Sequence, residues 1–144
     1  MYLDPTDENV VRLLERNLAG PVLMLNLLRF RAVADYSASP ELAPEASISG
    51  REAYDRYVAH TLPFLERSGG SLDLLADGGH LFIGPSEERW DLAMVVRQSS
   101  LDDFFAFADN EAYLAGIGHR TAALEDSRLL PLTERSLSVT KLKS

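Results

Sequence analysis

Asn26 stands inside an otherwise apolar run, Val22-Leu23-Met24-Leu25-Asn26-Leu27-Leu28. A buried amide without a partner costs roughly 1–3 kcal/mol. Asn26 therefore either orients a ligand carbonyl or hydroxyl, or bonds a loop or helix end. Tyr54, Tyr57 and His60 follow at intervals of three, which on a helix makes a slowly drifting stripe. Turned toward a sheet, two phenols and an imidazole can donate and accept protons in the space between helix and sheet. The structural alternative buries the rings and leaves the hydroxyls at the rim. His119 and Arg120 are adjacent, so their side chains diverge by about 100° and only one faces a sheet squarely. Arg120 suits a two-pronged bond to a carboxylate, or an ion pair with Asp91 or Asp126 that holds its helix down. Trp90 opens a strand and suits packing better than stacking on a ligand. The candidate acid–base residues are thus His60, His119 and Tyr57; the candidate ligand-binding residues are Asn26, Tyr54, Tyr57, Arg120 and Trp90.

Other chemistries find little support. His60, His80 and His119 lack the i, i+4 spacing of a helical metal pair, and the chain has no cysteine. No metal site is expected, and neither are disulfides or thiolate catalysis. There is no glycine-rich phosphate loop and no serine-nucleophile motif, so no cofactor is expected either. The net charge of −8 argues against nucleic acid, whose binding needs a basic footprint, and against an anionic membrane surface. The longest apolar stretch is far below the roughly 20 residues that span a bilayer. The N-terminus has no basic segment followed by an apolar one. The expected compartment is the cytoplasm.

The elements that must position these residues read in order. Asp4-Pro5 opens a helix with Val10, Leu13, Leu14 and Leu18 at helical spacing, and Gly20-Pro21 stops it. Val22–Arg31 is a strand apolar on both faces. Residues 32–47, with Pro40 and Pro44, form a long loop; leaving the strand that bears Asn26, it is expected to be mobile and to lie at a pocket mouth. Ser49-Gly50-Arg51-Glu52 is a capping box before a helix that ends at Gly69-Gly70, with Pro63 kinking or tightening its last turn. Leu72–Ala76 and His80–Ile83 are two short strands, or one strand with a bulge. Trp90–Arg97 is a strand with Trp90, Leu92, Met94 and Val96 on one face. A short helix capped by Ser99 or Ser100 precedes a second over Asn110–Leu124, and Arg128–Leu132 is the last strand. The polar tail, 133–144, reads as frayed or as an arm on a partner.

The 144 residues suit one domain, with 1–20 an N-terminal helical extension, 21–132 the core and 133–144 a tail. The core order is the α+β, ferredoxin-like β-α-β-β-α-β plan, an antiparallel sheet with helices on one face. Both faces of the first strand are apolar, so the second face needs a cover. A second copy of the sheet is the simplest one, which predicts a homodimer.

The ordered motifs also resemble the domain-of-unknown-function 1330 family of the dimeric α/β-barrel superfamily. They are Val22–Leu27, Ala53-Tyr54-Asp55-Arg56-Tyr57, Gly69-Gly70, Gly84, Trp90-Asp91, Asn110-Glu111-Ala112-Tyr113 and His119-Arg120, over roughly residues 21 to 132. The resemblance implies the ferredoxin-like fold and a dimer but supplies no reaction. Relatives on that superfold include cofactor-free monooxygenases, isomerases, haem proteins and stress-response proteins, among which fold cannot choose. The expected function is binding of a small apolar or aromatic carbonyl compound between sheet and helices, with cofactor-independent isomerase, lyase or monooxygenase chemistry. The alternative is a non-catalytic dimeric binding or stress-related module.

Overall fold

The computed structural model describes residues 1–137. Most of the tail expected to fray or to reach a partner lies outside the described residues.

The elements are α1 (Asp7–Glu15), β1 (Val22–Phe30), α2 (Gly50–Arg67), β2 (Ser71–His80), β3 (Arg89–Gln98), α3 (Leu101–Ala108), α4 (Glu111–Leu114), α5 (Ile117–Ala123) and β4 (Leu124–Leu132). The strands form one antiparallel sheet in the order β2-β3-β1-β4. Beyond α1, that order with helical crossovers after β1 and β3 is the ferredoxin-like arrangement. No helix among the described residues is long and apolar enough to cross a membrane.

Period-two alternation divides the sheet cleanly. On β1, Val22, Met24, Asn26, Leu28 and Phe30 are buried, while the residues between them are partly exposed. Asn26 lies opposite Met94 and Leu28 opposite Leu92. The row Leu92, Met94, Val96 therefore belongs to the helix-covered face, with Tyr54, Tyr57 and Tyr113 packed near it. It does not add to the bare face. That face carries Leu23, Leu25 and Leu27, flanked in register by Ala93 and Val95 on β3 and by Leu130 and Leu132 on β4.

Local chemistry sets the helix limits. Thr6, not Asp4, caps α1 by accepting from the Asn9 N–H. Ser49 caps α2 through the Glu52 N–H at 3.0 Å, as the capping box requires. The expected helix over Asn110–Leu124 is two pieces, α4 and α5, parted at Ala115-Gly116. Gly116 lies against the His60 ring, and a Cβ there would overlap it. Likewise β2 is one strand, with its irregularity between Leu72 and Leu74 and not at Gly78-Gly79; Phe82 and Ile83 lie beyond it, exposed.

The loop after β1 differs from expectation. Tyr36 is buried in the core, the Ala34 N–H donates to Ile48 and the Asp35 N–H to Ala122. Backbone bonds and a buried aromatic fix the segment over α5, away from the large cavity described below.

The N-terminal segment is clamped to β4. Asp126 Oδ1 accepts from the Tyr2 N–H at 2.8 Å and from Arg128 at 2.8 Å, and Ser127 Oγ donates to the Tyr2 carbonyl at 2.5 Å. Burial disfavours the ionised Asp126, yet the Tyr2 N–H, Arg128 and the Ser127 N–H outweigh it and hold the carboxyl below its ordinary range. A depressed folded-state value stabilises fully above the unfolded value, near 4, and the contribution is lost as pH falls through the folded one. Asp126→Asn should therefore melt lower than the parent at pH 7, and the gap should narrow between about pH 5 and 3. Melting curves by circular dichroism across that range check this; a constant gap would show that the Asp126 charge is not the clamp.

Candidate functional site

Between the helix-covered face of the sheet and the helices lies a half-enclosed cavity of about 900 Å³. Met24 and Asn26 of β1 and Met94 of β3 form part of its floor. Tyr54, Tyr57 and Thr61 of α2 form one wall, and Tyr113 and Arg120 line it from α4 and α5. Val10 and Leu13 of α1 complete the enclosure. The N-terminal helix thus walls the cavity, on the helix side of the sheet, and leaves the bare sheet face uncovered. A smaller space of about 410 Å³ on the β2 side of α2 is lined by Phe30, Arg51 and Leu75.

The α2 stripe places its polar groups, Tyr54, Tyr57 and Thr61, at intervals of about one turn. Tyr57 Oη and Tyr113 Oη are hydrogen-bonded at 2.7 Å, both side chains buried. The pair holds two hydroxyl protons and one serves the bond between them. The other has no protein acceptor among the described residues and is free for a ligand. Burial pushes the Tyr113 phenol well above its ordinary value, the Tyr57 hydroxyl adds to this, and Arg120 pulls back weakly. Burial does the same to Tyr54, with Tyr57 adding and Arg120 opposing. Near neutral pH both phenols stay protonated and act as donors. Asn26 Nδ2 donates to the Met24 carbonyl at 3.1 Å. No protein donor among the described residues reaches its Oδ1. Arg120 donates to the Leu3 carbonyl at 2.8 Å and to Ser127 Oγ at 3.4 Å. It pairs with neither Asp91 nor Asp126, the acids proposed for it from sequence.

The structure brings together Asn26, Tyr54, Tyr57 and Arg120, and places three other candidates elsewhere. His60 lines neither cavity. Its Nε2 faces the carbonyls of Ala112 and Tyr113 at 2.9 and 3.2 Å, so that nitrogen carries the proton and ties α2 to α4. Three residues beyond Tyr57, the drifting stripe has left the sheet side. His119 Nδ1 is hydrogen-bonded to Tyr36 Oη at 2.8 Å, outside the cavity. Burial lowers its pKa, and Arg56 and His60 lower it further. Trp90 is buried at the end of the sheet beside the guanidiniums of Arg128 and Arg29, 5.0 and 5.6 Å from its ring. His80 is exposed at the end of β2. Among the described residues no three His, Asp or Glu side chains gather as metal ligands.

Three cavity groups were not singled out from sequence. Tyr113 entered only as part of the motif Asn110-Glu111-Ala112-Tyr113. Thr61, four residues after Tyr57, continues the stripe, and its Oγ1 is buried without a partner among the described residues. Gln98 ends the row Leu92, Met94, Val96, and period two alone points it inward; it is fully buried and its Nε2 has no partner among the described residues.

No family model and no curated protein matches the chain. Among solved structures, the methylated RPA0582 protein superposes with a TM-score of 0.81 at 33% identity, covering 95% of this chain and 97% of that one. The RPA0582 protein of unknown function from Rhodopseudomonas palustris gives 0.79 at 33% identity, covering 93% and 97%. A dimeric ferredoxin-like protein of unknown function from Thermobifida fusca gives 0.48 at 17% identity, covering 81% and 92%. At a third of residues identical over nearly the whole of both chains, the protein belongs to the family of the R. palustris RPA0582 protein.

Proposed function

We propose that this protein binds a small apolar or aromatic carbonyl compound in the cavity between sheet and helices. The observation that carries the reading is the buried Tyr57–Tyr113 hydroxyl pair, with one proton left over, at the wall of a mainly apolar space of about 900 Å³. An apolar enclosure with a few fixed polar groups is how small-molecule sites are built. A carbonyl oxygen supplies the missing acceptor, and Asn26 Oδ1 accepts from a neighbouring ligand hydroxyl. A phenol aimed at a carbonyl also stabilises the oxyanion of an enolate. That suits proton transfer of the isomerase or lyase kind, and metal-free oxygenation of an electron-rich carbanion.

One observation favours the second reading, a non-catalytic binding module. The two histidines proposed as proton carriers stand outside the cavity, tied to backbone carbonyls or to Tyr36. The ordered motifs also support placing the chain in the domain-of-unknown-function 1330 family.

A thermal-shift screen of aryl ketones, aldehydes and matched hydrocarbons tests the site. Carbonyl compounds should raise the melting temperature more than the hydrocarbons do. Tyr57→Phe should weaken carbonyl binding by about three- to tenfold, the worth of one hydrogen bond, and leave hydrocarbon binding unchanged. Equal shifts for both series would sink the carbonyl reading. Turnover of a tight binder would eliminate the non-catalytic one.

We further propose that the bare sheet face pairs with that of a second copy. Leu74 and Leu130 on this face are about half exposed in the single chain, at 47% and 52%. The face is continuous across β1, β3 and β4, and monomers rarely expose apolar patches beyond a few hundred Å². A twofold contact hides both faces at once.

A further inference from the structure

We infer that the cavity ligand carries a carboxylate, held by Arg120, so that the substrate class is an apolar or aromatic carboxylic acid. This rests on the cavity reading above and narrows it.

The charges around the cavity run against those of the chain. The protein has 22 acidic and 14 basic residues, but Arg12, Arg16, Arg120 and Arg128 line the cavity against Asp4 and Asp109. Two of the four arginines are already matched, Arg12 with Glu8 and Arg128 with Asp126. Arg16 and Arg120 meet no carboxylate within ion-pair distance among the described residues. Arg16 donates to the Pro131 carbonyl at the exposed rim. Arg120 is the deeper of the two, half-buried beside Tyr54 and Tyr113.

A half-buried guanidinium served only by neutral oxygens is under-compensated. Of its five N–H groups, Arg120 uses one on the Leu3 carbonyl at 2.8 Å and one on Ser127 Oγ at a long 3.4 Å. The protein did not lack acids to place there: Asp126 is adjacent to Ser127 but spends its oxygens on Tyr2, Arg128 and Arg29. Arg120 also lines the cavity with Tyr113, close enough for its charge to act on that phenol, and the pair Tyr113 makes with Tyr57 has a spare donor. A carboxylate accepts from both a guanidinium and a hydroxyl, and such charge-assisted bonds are about twice as strong as neutral ones. The rest of the lining, with Met24, Leu65 and Phe104 among it, is suited to an alkyl or aryl body and not to a multiply charged ligand.

The test is calorimetric, with pairs that differ only in charge. Straight-chain acids from hexanoate to dodecanoate, phenylacetate and 1-naphthaleneacetate are each titrated beside their primary amides. The acids that bind should do so about tenfold or more tightly than their amides, the usual worth of a charged hydrogen bond. Arg120→Gln should remove that difference while amide binding persists; Arg120→Lys, which keeps the charge, should retain part of it. Amides binding as tightly as acids in the parent protein would overturn the carboxylate inference and leave the cavity reading intact. An acid preference that survives in folded Arg120→Gln would overturn the assignment to Arg120. Binding by neither series would overturn the cavity reading, and this inference with it. The comparison on the parent protein does not depend on any variant folding.

Discussion

Replacing Leu25 with glutamate should convert a particle of twice the 15.9 kDa chain mass into a single chain, read by light scattering at micromolar concentration. Leu25 occupies the centre of the bare sheet face, between Val95 on β3 and Leu130 on β4. In a sheet-to-sheet dimer a carboxylate there is buried with no partner, at a cost of several kcal/mol per subunit. The gross driving force is about 25 cal/mol per Å² of apolar area removed from water. Several hundred Å² per subunit offsets the cost of association only while the face stays apolar. In the free chain Leu25 is partly exposed, so the variant should fold with little loss of stability. A parent protein that already runs at 15.9 kDa, or a variant that stays dimeric, would contradict the proposed interface. Among the described residues, the N-terminal helix was the one element outside the sheet and its crossovers able to cover this face instead. Its Leu13 packs with the cluster of Val22, Met24 and Leu101 on the opposite side, which leaves the bare face to a partner.

A second large effect is expected at Gly50→Ala. Gly50 begins α2 where three backbones converge. Its N–H donates to the Arg31 carbonyl at 3.0 Å. A Cβ on Gly50 would lie 2.6 Å from the Ala123 carbonyl oxygen and 2.8 Å from the Arg31 nitrogen, besides striking the Arg31 oxygen. These are backbone atoms of segments joined to β1 and β4, so relief requires shifting α2 off the sheet. The loss should reach about 3 kcal/mol or more, at the upper end for overpacking, which is roughly 10 °C in melting temperature for a chain this long. Gly79→Ala is the control: a Cβ there would meet nothing within 4 Å among the described residues, and its effect should stay within about 0.5 kcal/mol. A loss at Gly50→Ala no larger than that at Gly79→Ala would contradict the backbone contact as its cause.

The fold was legible because its signals are local and periodic. Ser49 and Glu52 announced the start of α2, and Gly69, whose φ is +85°, its end. Alternation along β1 and β3 fixed which side chains share a face. What the residues could not reveal was which face the helices would cover. The row Leu92, Met94, Val96 reads equally well as core or as interface until its register with Asn26 is known. Nor does periodicity measure how far a stripe drifts. Tyr54 and Tyr57 reach the cavity, whereas His60, one turn on, bonds the α4 backbone instead. The helix break at Gly116 and the fixed loop over α5 depend on long-range contacts, His60 against Gly116 and Tyr36 with His119, that leave no mark in local spacing. The spare hydroxyl proton is invisible for the same reason: Tyr57 and Tyr113 are 56 residues apart.

The most direct test of the central claim, that the space between sheet and helices is a ligand site, is a crystal structure of the protein soaked with the tightest binder from the carbonyl or acid series. The ligand should lie between α2 and β1, its polar end within hydrogen-bond distance of the Tyr57–Tyr113 hydroxyls, with α1 closing over its apolar body. A ligand seated on the bare sheet face or in the smaller space by Arg51, with the large cavity empty, would contradict the account.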